Sequence, residues 1–171
     1  MNFEKTESLE QEKKPETIEE WIKFYTDIET EKRNDIKEKA IYYFENSDDG
    51  KRINEKIIIN SQFNNDSDNS LRITLHELRH KNQWEAKDNK KNLEFFDANQ
   101  INELLKDLHV SSEFIDNIPE KVKENARELD AVFFSEILNG AIQKNLLTEK
   151  EIGGLLNKNS TDIIKIIKEK I

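Results

Sequence analysis

One stretch decides how the middle of this chain folds: LRITLHELRH, residues 71–80. Its leucines recur at helical spacing, which predicts a helix with one side buried in the core. His76 and His80 are four residues apart, and residues four apart lie one above the other on the same face of a helix. Both imidazoles can therefore reach one metal ion.

Glu77 directly follows His76 and lies one residue round the helical turn. A carboxylate in this place can take a proton from a water molecule at the metal. The pattern His-Glu-x-x-His on a helix is typical of zinc metalloproteases. Two of the three histidines of the chain belong to it. The alternative interpretation is that both histidines are simply exposed on a charged helix and bind no metal.

Length and composition limit the functions that are open to the chain. Its 171 residues favour a single domain. A net charge of −9, from 27 basic and 36 acidic side chains, argues against partners such as nucleic acid or anionic membranes. The absence of cysteine excludes disulfides, thiolate metal ligands and a cysteine nucleophile. No apolar run approaches the roughly 20 residues of a membrane span, and we expect a cytoplasmic protein.

The beginning of the chain differs in composition from the rest. Residues 1–14 are polar and charged, with little to bury, and we expect a disordered acidic tail there. Residues 15–171 carry helix and strand patterns throughout, so we expect one mostly helical domain. Its first helix should begin after Pro15, because Thr17 is a suitable N-cap and Glu20 completes a capping box.

The strands are harder to place than the helices. Residues 56–63, with three consecutive isoleucines, predict a β-strand. Residues 31–44 predict a second helix, although the end of this segment, residues 41–44, also fits a strand. Residues 92–96 fit either a short strand or a packed loop. One strand alone cannot satisfy its backbone. We therefore predict an α+β fold with a small antiparallel sheet around residues 52–63, next to the helix that carries the two histidines.

Helical patterns fill the second half of the chain. Asp97 is a suitable N-cap for one helix. Pro119 is well placed in the first turn of a longer helix, which we extend to about Lys144. Thr148 and Glu151 have the spacing of a capping box at the start of a further helix.

A catalytic zinc ion needs three protein ligands and an open fourth position, so a third ligand must come from elsewhere in the chain. His109 is one option, at the end of a predicted helix. Glu128 is the better one, because it lies in a core-facing segment where a carboxylate needs a cation or a hydrogen-bond network, and zinc would provide the cation. The alternative is that Glu128 forms an ordinary surface ion pair with Lys121, Lys123 or Arg127.

Two segments together resemble a known family, over about residues 55–138. The pattern at residues 76–80, followed by Glu128-x-Asp130-Ala131, is similar to the gluzincin-type zincins. Small bacterial and phage metallopeptidases of the phage-immunity and repressor-cleaving kind carry H-E-x-x-H on one helix and E-x-(E/D)-A-(N/D)-x-F-A on a later one. Other positions that match a zincin pattern are Leu78, Arg79, Gln83 and Phe134, whereas Val132 and Ser135 depart from the second motif.

The resemblance implies a zincin-like metallopeptidase domain that binds Zn²⁺ and cleaves a peptide or protein substrate. It implies His76, His80 and Glu128 as zinc ligands and Glu77 as the general base. Asp130 could orient a ligand histidine through its second ring nitrogen. A second arrangement makes Asp130 the ligand and leaves Glu128 outside the site.

Residue type alone offers four candidates for stabilising the oxyanion: Arg79, Tyr42, Tyr43 and His109. The chain could instead be a zincin-like regulatory or partner-binding protein of phage or mobile-element type, with little or no peptidase activity. It could also be a helical interaction module in which the motif arose by chance.

Overall fold

The computed structural model describes residues 13–63, 67–111 and 113–171. Within these residues the chain is a mostly helical α+β domain, as predicted. Most of the predicted tail, residues 1–12, and part of a predicted loop, residues 64–66, lie outside the described residues. The elements in chain order are α1 (Ile18–Tyr25), β1 (Glu29–Arg33), β2 (Ala40–Asn46), β3 (Arg52–Asn60), α2 (Ser67–Asp88), α3 (Ala98–Asp107), α4 (Glu113–Asp116), α5 (Glu120–Lys123), α6 (Ala126–Gln143), α7 (Glu149–Gly153) and α8 (Ser160–Lys168).

The sheet has the strand order β1-β3-β2 and is mixed. A tight turn joins β2 to β3, and Gly50 adopts the positive φ of 79° that this turn needs. The two strands therefore pair antiparallel, whereas β1 pairs parallel with the other edge of β3. The prediction of an antiparallel sheet is thus wrong for β1, because β2 already occupies one edge of β3 and β1 joins the other edge in the same direction.

The predicted helix over residues 31–44 is also wrong. This segment contains the end of β1 and most of β2, so the strand interpretation of its last residues is confirmed. Ala40 and Tyr42 are buried with alternating neighbours, as expected for a strand with one face on the core. Pairing with β3 stabilises this conformation, and helix propensity within residues 31–44 contains no information about a partner strand.

The helix that carries the two histidines, α2, contacts α1, β2 and α6. Its buried face contains Leu71, Leu75 and Leu78, as the leucine spacing predicts.

The capping box of Thr17 and Glu20 at α1 is confirmed. Among the described residues, no helix combines the length and apolar character that crossing a bilayer requires.

The predicted helix from Pro119 to Lys144 is two helices, α5 and α6, separated at Glu124 and Asn125. The side chain of Asn125 accepts hydrogen bonds from the backbone N–H groups of two following residues and so begins α6. This break places Glu128 in the first turn of α6.

Residues 92–96 form a packed loop rather than a strand.

A fully buried ion pair joins α2 to α6. Arg79 donates from Nε to Oδ2 of Asp130 over 2.7 Å and from Nη2 to Oδ1 over 3.1 Å. The other donors of Arg79 reach the backbone carbonyls of Glu94 and Lys158, and the N–H of Phe96 reaches Asp130. Each charge is thus satisfied, and four segments of the chain are held together.

The variant Asp130→Asn should strongly destabilise the fold, because it leaves the Arg79 guanidinium buried without its counter-charge. Loss of one partner of a buried pair costs about 3–5 kcal/mol. Urea unfolding followed by circular dichroism measures the change. The matched control is Asp35→Asn, which breaks an exposed pair with Arg33 and should change stability little. Equal effects of the two variants would contradict this account of Asp130.

Candidate metal centre

Three side chains from α2 and α6 converge on one point: His76, His80 and Glu128. The Nε2 atoms of the two histidines are 3.1 Å apart. One carboxylate oxygen of Glu128 lies 3.5 Å from Nε2 of His76, and the other lies 3.3 Å from Nε2 of His80. A single ion can contact all three groups. The alternative pairing of Glu128 with Lys121, Lys123 or Arg127 is not found in this part of the chain.

Gln83 sets the orientation of the His80 ring. Its Oε1 lies 3.0 Å from Nδ1 of His80, and its Nε2 donates to Asp130 over 2.7 Å and to the carbonyl of Arg127 over 3.0 Å. Because the amide nitrogen is used for these two bonds, the amide oxygen must accept from His80. Nδ1 therefore carries the proton, and the Nε2 lone pair of the neutral ring is directed at His76 and Glu128.

This network places Asp130 differently from the two roles that the sequence suggested. Asp130 contacts Arg79, Gln83 and Phe96, and it is not part of the group of converging ligand atoms. Gln83 makes the contact with His80 that we expected of Asp130. The sequence did contain a signal for Gln83, since it lies three residues after His80 and therefore on the same helix face.

The charges of the three groups depend strongly on one another. Hydrogen bonds from His76 and then from His80 lower the pKa of Glu128 far below its usual value of 4.5. Burial opposes the charged form of His80, but the hydrogen bond to Glu128, the charge of Glu77 and the contact with Gln83 outweigh it and raise its pKa above 6.5. The carboxylate of Glu128 therefore favours positive charge at this centre.

Glu77 lies beside the three groups but is not one of them. It is buried, and its Oε2 accepts a hydrogen bond of 2.7 Å from the backbone N–H of Tyr42 in β2. Burial raises the pKa of Glu77, and the nearby His76 and His80 partly oppose that effect. A carboxylate with a raised pKa is a better proton acceptor near neutral pH than an ordinary surface carboxylate.

Two cavities border these residues. One, of about 410 Å³, is lined by both histidines, Glu77 and Glu128, and extends to Trp84 and Arg127. The other, of about 630 Å³, shares His76 and Glu77 with the first and has a more apolar lining. Volumes of a few hundred Å³ are typical of sites that bind small molecules or peptide segments.

Of the four residues suggested for oxyanion stabilisation, Arg79, Tyr42 and Tyr43 use their polar groups in other contacts. Arg79 is fully buried and pairs with Asp130. Tyr42 lines the first cavity, but its hydroxyl group contacts Glu55 and Arg52. Tyr43 is exposed and bonds to Glu45 within its own strand.

His109, the fourth of these residues and the other sequence candidate for the third ligand, is exposed at the end of α3. Its Nε2 lies 3.5 Å from Nζ of Lys144, and it is outside the group of converging ligand atoms.

Searches against protein-family models, curated proteins and solved structures found no match to this chain.

Replacing Gln83 with Ala should weaken binding of Zn²⁺ about ten- to hundredfold, the usual effect of losing a partner that orients a ligand histidine. Competition with a chromophoric chelator measures the affinity. Gln100→Ala, on an exposed position of α3, is the matched control and should leave the affinity unchanged. An unchanged affinity in the Gln83 variant would contradict the role assigned to this amide.

Zinc affinity should fall on acidification, starting at a higher pH than for an ordinary histidine site. Protons and metal compete for Nε2 of His80, whose pKa lies above 6.5 in the metal-free protein. As the pH falls through that raised pKa, the ring becomes protonated and the metal is displaced. The chelator competition repeated between about pH 5 and 8 tests this. An affinity that stays constant down to pH 6 would contradict it.

Proposed function

We propose that this chain is a zinc-dependent metallopeptidase of the zincin type, with His76, His80 and Glu128 as zinc ligands and Glu77 as the general base. The observation that carries the proposal is the convergence of two imidazole nitrogens and one carboxylate beside a second, buried carboxylate. The three ligand groups come from helices that are far apart in sequence, so the fold has to bring them together.

The separations of the ligand atoms suit zinc. Bonds of about 2.0–2.2 Å from a central Zn²⁺ place neighbouring ligands of a tetrahedron about 3.3–3.6 Å apart. The two imidazole Nε2 atoms are 3.1 Å apart, and each lies 3.3–3.5 Å from a different carboxylate oxygen of Glu128, which is close to these separations. Two imidazoles with one carboxylate are a common donor set for catalytic zinc, and three protein ligands leave a fourth position open.

In this proposal Glu77, Tyr42 and Gln83 have different roles in the reaction. When bound, zinc supplies Lewis acidity, which lowers the pKa of a water molecule and polarises a carbonyl group. Glu77 would accept a proton from the attacking water and pass it to the leaving amine. The N–H of Tyr42 holds one oxygen of Glu77, so the other is available for proton transfer. Gln83 keeps the lone pair of His80 directed at the metal position.

The position of β2 supports a peptide as the substrate. This strand is at the edge of the sheet, and Ala40, Ile41 and Tyr42 line the first cavity. The N–H of Tyr42 points away from β3 towards Glu77, and by the alternation of an antiparallel pair the backbone of Ala40 points the same way. An extended peptide can pair with such an edge and so bring its backbone to Glu77.

The decisive variant is Glu77→Gln, which keeps the shape of the side chain and removes its basicity. It should bind one zinc ion per chain as the wild type does and lose hydrolysis by about 10²–10⁴-fold, the usual contribution of a general base. Zinc content is measured by elemental analysis of protein purified without a histidine tag. Hydrolysis is measured by mass spectrometry on a peptide library.

His76→Ala is the matched variant for the metal and should lose both zinc and hydrolysis. A Glu77→Gln variant as active as the wild type would refute the proposed mechanism. Stoichiometric zinc without hydrolysis of any peptide or protein tested would favour a zincin-like regulatory or partner-binding protein. A wild type without zinc would leave a metal-free zincin-like binding protein and the helical interaction module as the remaining interpretations.

A further inference from the structure

Arg127 lines the same cavity as the candidate ligands, immediately before Glu128 in sequence. It is the only lysine or arginine among the described residues that line this cavity. The other charged groups of the lining include three carboxylates, from Glu38, Glu77 and Glu128. Arg127 thus adds a permanently charged cation to this lining, in a protein whose net charge is −9.

The guanidinium of Arg127 has no ion pair or hydrogen bond within the described residues. It lies over the ring of Trp84, with Cζ 4.4 Å from the ring centroid. Stacking of this kind fixes the plane of the guanidinium while its N–H donors stay available at the edge. The half-buried Arg127 thus presents an oriented and unused set of donors.

The backbone of Arg127 is held as firmly as its side chain. Its N–H donates to the side chain of Asn125, and its carbonyl accepts from Nε2 of Gln83 over 3.0 Å. Gln83 also contacts His80, so one amide fixes both a ligand imidazole and the backbone of Arg127. The distance between the guanidinium and the ligand atoms is therefore set by the fold rather than by a mobile loop.

We propose that Arg127 is a specificity-determining residue that binds a carboxylate group of the substrate, a proposal that rests on the peptidase function given above. A planar guanidinium and a planar carboxylate form two parallel charge-assisted hydrogen bonds, which neither a neutral amide nor a lysine reproduces. In a peptide, the carboxylate is either an acidic side chain or the C-terminal carboxyl group. Both sources present the same chemistry to Arg127.

Binding of small probes to the zinc-loaded wild type tests the proposal without turnover. The probes are the monohydroxamates of succinic and glutaric acid, and the same molecules with the carboxyl group converted to a primary amide. Isothermal titration calorimetry should show tighter binding of the carboxylate probes. Arg127→Gln should abolish this preference, a loss on the order of ten- to hundredfold for a hydrogen-bonded charge pair.

Lys87 provides the matched control, because its Nζ lies over the same Trp84 ring at 4.6 Å but it does not line the cavity. Lys87→Gln removes one positive charge and one cation–π contact, as Arg127→Gln does, and should leave probe binding unchanged. Zinc content and thermal unfolding of both variants show whether the fold is intact. Equal binding of carboxylate and amide probes to the wild type would overturn the proposal, as would an equal loss of the preference in both variants.

Peptide cleavage separates the two sources of the carboxylate. Library peptides are compared with free and amidated C-termini, and with acidic or amide side chains at each position. A requirement for a free C-terminus identifies the terminal carboxylate, and a preference for Asp or Glu at one position identifies a side chain. Cleavage without either preference would refute the role of Arg127 and leave the peptidase function intact. If no peptide is cleaved, the peptidase function fails, and the hydroxamate comparison still decides whether Arg127 binds a carboxylate.

Discussion

The buried ion pair between Arg79 and Asp130 is the interaction on which the arrangement of this molecule depends. Each partner is one or two residues away from a candidate metal ligand, since Arg79 precedes His80 and Asp130 follows Glu128 two residues later. When the pair forms, α2 and α6 are fixed in the one register in which both histidines meet Glu128. The burial of two charges has a large desolvation cost, which the further hydrogen bonds to Glu94, Phe96 and Lys158 help to offset in this arrangement.

The two faces of α2 accordingly have different tasks. One face contributes His76, His80 and Glu77 to the cavities, and the other presents Arg79 to the interior between Phe96 and Phe134. Gln83 connects the faces, because it contacts both His80 and Asp130. The same carboxylate of Asp130 thus supports the packing of the helices and, through Gln83, the tautomer of a candidate ligand imidazole.

The sequence predicts the parts of this arrangement that local chemistry determines. The capping boxes at Thr17 and Thr148 are confirmed, because each involves residues only three apart. Local patterns also bring out His76, His80 and Glu128 as a candidate set, which the fold does bring together. The strands β1 and β2 were harder to predict, since their stability comes from pairing with β3 and not from their own residues. The surroundings of Arg79 and Asp130 could not be inferred either, because nothing local indicates that residues 51 positions apart satisfy each other's charge.

The hydrogen bond from Tyr42 to Glu77 has a consequence for how this chain can change during evolution. Its donor is a main-chain group, so any substitution at position 42 except proline keeps it. This hydrogen bond to Glu77 therefore does not depend on which side chain occupies position 42. Exposed side chains of β2, such as Tyr43, can thus change while the Glu77 carboxylate keeps its main-chain donor.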